Sequence, residues 1–70
     1  MTHEEKKAEL TAKRAARDAA RATMDAAEVV WRAARAEAVR AAKDSAEYDA
    51  IVRPAHAAYM ATIEAWQAVR

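Results

Sequence analysis

Residues 8–36 read AELTAKRAARDAARATMDAAEVVWRAARA, and the spacing of small apolar residues in that stretch decides the fold. In a heptad frame with Ala12 as a first core position, the a and d sites are Ala8, Ala12, Ala15, Ala19, Ala22, Ala26, Val29, Ala33 and Ala36. Side chains three and four apart share one face of an α-helix, so this is a helical seam. Alanine has the highest helix propensity, and the stretch is expected to be helical before anything packs on it. Each alanine removes little surface from water, so the seam stabilises only if another helix approaches closely.

At about 100° per residue, a second apolar strip of Met24, Ala27, Trp31, Ala34 and Ala38 flanks the seam. Together the two strips cover about half the helix circumference, wider than the stripe of a helix resting on one neighbour. Two partners are expected. The remaining arc holds Arg14, Arg17, Asp18, Arg21, Asp25, Glu28, Arg32, Arg35 and, further along, Lys43, which suits a face turned to water.

Outward from this stretch, the ends are readable. Thr2 followed by Glu5 forms a capping-box pattern, so the first helix begins near His3, with Glu4 and Glu5 complementing the helix dipole. Opposite charges then recur four residues apart, from Glu9–Lys13 through Glu28–Arg32 to Asp49–Arg53, each pair worth a few tenths of a kcal/mol. Pro54 is the strongest breaker, because inside a helix it removes a hydrogen bond and costs about 3 kcal/mol. At a first helical position it costs little. The expectation is a single unit over residues 1–70, with a long helix over about 3–52 and a short one over about 54–69. A break at Asp44–Ser45, where Asp44 and Glu47 supply capping groups, is the alternative. The second arm carries a bulkier stripe of Tyr48, Ile51, Val52, Ala55, Tyr59, Ile63, Trp66 and Val69. The fold class expected is all-α: a helical hairpin or a Pro-kinked rod, assembled as a coiled-coil-like oligomer.

Composition points the same way. Alanine supplies 23 of the residues behind the 54% hydrophobic content, so large core-forming side chains are few. Small scaffolds in that position commonly need a staple. The chain has no cysteine, which excludes disulfides and thiolate metal sites and leaves oligomerisation as the staple. A net charge of +1 is too even to demand an anionic partner. The longest uncharged stretch after Arg53, Pro54–Ile63, is ten residues, well short of the roughly 20 a membrane span needs. Met1 to Lys7 lacks the layout of a secretory signal, and a cytoplasmic protein is expected.

Chemistry is sparse. Neither a glycine-rich phosphate loop nor a nucleophile–base pair is present, and His56 has no acid three or four residues away to orient it. No enzyme activity and no cofactor are expected. Met1-Thr2-His3 has the spacing of an amino-terminal copper or nickel site. A histidine at a capped helix start explains His3 without metal, and no metal site is assigned.

The function expected is structural: a small scaffold or accessory subunit that binds itself, with a larger protein assembly as the further partner. Ala12, Ala15, Ala19, Ala22, Ala26, Val29 and Ala33 would pack closely, while Trp31, Tyr59, Ile63 and Trp66 anchor a second contact. The alternative is a small nucleic-acid-binding accessory protein. Lys13, Arg17 and Arg21 form a like-charge row four apart, with Arg14 beside it, a pattern that costs helix stability and suits a phosphate backbone. Against that alternative, Glu9, Asp18 and Asp25 neighbour the row.

Overall fold

The computed structural model describes residues 2–70, and its described residues form two α-helices and no strand. Helix α1 spans His3–Ala41 and helix α2 spans Ser45–Val69. The amino-terminal cap is the one the sequence implies. The Glu5 amide donates to the Thr2 hydroxyl at 3.2 Å, and the Thr2 amide donates to the Glu5 carboxylate at 3.3 Å. Two donors that the first helical turn would otherwise leave unmatched are thereby satisfied.

The turn corrects the preferred sequence boundary. The first helix stops at Ala41, not near residue 52, and Pro54 lies inside α2. With no glycine in the chain, the helix cannot stop through a left-handed residue at ordinary cost. It stops instead by going extended at Ala42 (φ −74°, ψ 132°), and Asp44 follows, also extended, at φ −148° and ψ 175°. Asp44 then caps α2: its carboxylate accepts from the Glu47 amide at 2.9 Å, while the Glu47 carboxylate accepts from the Lys43 amide at 2.8 Å. The acids at 44 and 47 start a new helix, as the alternative boundary requires.

Pro54 is tolerated because tertiary packing outweighs one lost hydrogen bond. The proline is exposed on the outer surface of α2, while Ile51, Val52, Ala55 and Tyr59 on the inner side are half-buried against α1. A break at residue 53 would strand Tyr48, Ile51 and Val52 on the first helix, out of reach of Trp31. Stopping at Ala41 lets the whole bulky stripe of α2 lie along one strip of α1.

The chain reverses over Ala42–Asp44, and α2 runs back beside α1. Tyr48 lies near Ala38 and Val39, Tyr59 stacks on Trp31, and Ala68 to Arg70 lie beside Lys13 and Arg17. Dimensions agree: helices of these lengths laid end to end would span roughly 96 Å, whereas the longest extent is 62 Å, close to α1 alone. Helix α1 therefore projects beyond the end of α2 over its first turns. Little is enclosed. Ala38, with 0% exposure, is the sole fully buried side chain among the described residues.

Candidate interaction surface

The α1 residues that meet α2 are Ala20, Met24, Ala27, Trp31, Ala34 and Ala38, all partly or fully buried. This is the second apolar strip, not the alanine seam. Trp31 sits at its centre. The Tyr59 ring stacks on it at 5.3 Å between centroids with an interplanar angle of 18°, and the His56 ring tilts against it at 5.5 Å. The Arg35 guanidinium lies 4.9 Å from the Trp31 ring centre, one helical turn along. Arg35 therefore covers indole surface that would otherwise face water. The indole Nε1 is buried within this cluster with no hydrogen-bond partner.

Of the residues expected at a contact, Trp31 and Tyr59 are brought together within one chain. Ile63 and Trp66 are half-buried further along α2, on the stripe that faces α1. The Arg35 and His56 contacts were not anticipated. For Arg35 the signal was present, because an arginine four residues after a tryptophan in a helix overlies the ring. Nothing local announces His56, whose placement depends on how the turn aligns the two helices.

The seam is elsewhere. Ala12, Ala15, Ala19, Ala22, Ala26, Val29 and Ala33 are all exposed, as are Ala8 and Ala36 at its ends. Val29 is 67% exposed and its neighbour Val30 62%. On the helical wheel the seam centre lies about 140° from the α2-facing strip, so α2 cannot reach it. Its edges are locally satisfied: the Thr11 and Thr23 hydroxyls donate to the Lys7 and Ala19 carbonyls, each at 3.0 Å. Neither hydroxyl needs a water or a partner's polar group, so another helix can approach without stranding them.

The charged arc differs from its sequence reading. Of the four-apart pairs, Glu9–Lys13 closes at 3.1 Å and Glu28–Arg32 also closes. Among the described residues no other ion pair forms, so Arg14, Arg17, Arg21 and Arg35 are not closed onto an acid. No three histidine, aspartate or glutamate side chains cluster to hold a metal among the described residues, and Met1 of the amino-terminal copper pattern lies outside them. Among the described residues no helix is long and apolar enough to cross a membrane. No family model, curated protein or solved structure matches the chain.

Proposed function

We propose that the chain is a small, non-enzymatic assembly protein: a helical hairpin whose exposed alanine seam packs on a second copy in coiled-coil fashion. The observation that carries this reading is the separation of the two apolar strips. Trp31, Tyr59 and the half-buried stripe of α2 are engaged between α1 and α2, yet a complete heptad seam remains in water.

Surface area supports the same reading. A compact monomer of 7.7 kDa exposes about 4,300 Å² by the size scaling of folded proteins. This chain exposes 5540 Å², an excess on the order of 1,200 Å². A standard protein interface removes roughly 800 Å² from each partner, so the excess is of the size that one interface would cover. A docked helix also supplies the enclosed core that a pair of helices with one buried alanine lacks.

Solution molar mass tests the proposal. Wild-type protein at micromolar concentration is expected to exceed the 7.7 kDa of one chain. Ala19→Leu and Ala26→Leu overpack a close seam, at a cost of about 1–3 kcal/mol per site, and are expected to lower or redistribute that mass. A monomeric wild type, or two variants that keep the wild-type mass and melting temperature, would overturn it.

A further inference from the structure

Between the α2 contact and the seam, one flank of α1 is basic along most of its length. Lys13, Arg14, Arg17, Arg21 and Arg35 fall within an arc of about 100° on the helical wheel. Glu28 is the acid inside that arc, and it is neutralised by Arg32. Asp18 and Asp25 fall just outside it, toward the seam. The fold adds a cation that the sequence order hides: Arg70, at the end of α2, lines the same groove as Lys13 and Arg17. Arg35 is held over Trp31. None of the four arginines of the α1 flank closes an ion pair among the described residues, and Arg17 and Arg35 have no acid four residues away on either side.

The geometry points to a sequence-independent binding surface for the phosphate backbone of duplex DNA along this flank. Lys13, Arg17 and Arg21 repeat every helical turn, about 6 Å apart along the axis. From Arg14 to Arg35 the rise is about 32 Å, close to the roughly 34 Å of one duplex turn. A rigid basic rod of that length meets successive phosphates and releases their condensed counterions, which needs no base-reading side chain. A lipid surface fits less well, because membrane-surface helices set a broad bulky apolar face against their cations. Here the exposed bulky apolar residues within the arc are Leu10 and Val39, near opposite ends of α1, while Met24 is half-buried against α2. The inference is independent of self-association: the flank lies on the side of α1 away from the middle of the seam, so a dimer presents two such edges.

Fluorescence anisotropy of a labelled 24-base-pair duplex of mixed sequence, titrated with the full chain at several salt concentrations, tests it. Binding in the non-specific range of about 10⁻⁴–10⁻⁶ M at physiological salt is expected, with log K falling against log salt with a slope of about −0.9 per phosphate neutralised. Four arginines predict a slope of roughly −3 to −4. Arg17→Glu with Arg21→Glu is expected to weaken binding and flatten the slope by about two, while Lys43→Glu, in the turn and off the flank, leaves both unchanged. Circular dichroism and molar mass of the double variant should match wild type, which keeps loss of DNA binding distinct from loss of assembly. Undetectable binding at 50 mM salt, a salt-independent complex, or equal loss in Lys43→Glu would sink the proposal. Tighter binding to vesicles containing anionic lipid than to the duplex, lost in the same double variant, would reassign the flank to a membrane surface.

Discussion

Trp31 shows how much of the small core rests on one side chain. It stacks on Tyr59, touches His56, carries Arg35 on its face, and sits midway along the strip that meets α2. Its neighbours on that strip are mostly alanines, which give little area each. Truncation to alanine is expected to cost on the order of 2 kcal/mol for a half-buried aromatic, a drop of about 10 °C or more in a domain of this size. Trp31→Phe keeps a ring against Tyr59 and should lose less, and Arg35→Ala should lose about 0.5–1 kcal/mol of cation–π contact. Thermal melts at one fixed protein concentration rank the three, since the proposed assembly would make the melting temperature concentration-dependent. Trp31→Ala melting with wild type would show that the cluster does not hold the helices together. The sequence placed Trp31 on the correct strip, because helical periodicity is local. Its partners were legible only as a matching stripe on the second arm, since pairing depends on where the chain turns.

At the scale of the elements, the turn shows local propensity yielding to packing. Proline at 54 is the strongest local signal in the second half of the chain, and read alone it outweighs the acids at 44 and 47. Its penalty of about 3 kcal/mol is fixed. The alternative break, however, frees Tyr48, Ile51 and Val52 to pack on α1, and that gain is non-local and invisible to a residue-by-residue reading. Both halves of this account are measurable. Asp44→Ala removes the cap that receives the Glu47 amide and is expected to cost about 1 kcal/mol. Pro54→Ala removes an internal helix penalty, so it should raise the melting temperature and leave the radius of gyration at the wild-type value measured at the same concentration. A Pro54→Ala protein that became longer in small-angle scattering would mean the reversal depends on residue 54 after all. The charge ladder carries a similar lesson. Four-residue spacing permits an ion pair, but exposed side chains gain little by closing one, and two pairs close.

At the scale of the molecule, the proposed self-association predicts a direction in which two copies would meet, set by the ends of the seam. The heptad frame runs into Glu4 and Glu5 at one end and Arg40 at the other. A parallel pair would set acid against acid and Arg40 against Arg40. It would also press Val29 against its own copy in a seam otherwise made of alanine. An antiparallel pair sets the acids of one copy near Arg40 of the other and places each Val29 across an alanine. It also lays the projecting first turns of α1 over the two-helix body of the second copy, where a parallel pair would match them only with each other. Opposed helix dipoles add to the preference. Because the chain has no cysteine, single substitutions report the direction cleanly. Ala12→Cys and Ala36→Cys, mixed and treated with a short bis-maleimide, are expected to cross-link to each other, and neither alone should. In the antiparallel pair two Ala12 positions lie roughly 30 Å or more apart, beyond such a linker. Cross-linking of Ala12→Cys alone would establish a parallel seam, leaving self-association standing. No product from either protein or the mixture, at a concentration where wild type exceeds the monomer mass, would place the contact off the seam and return Val29 and its alanines to solvent.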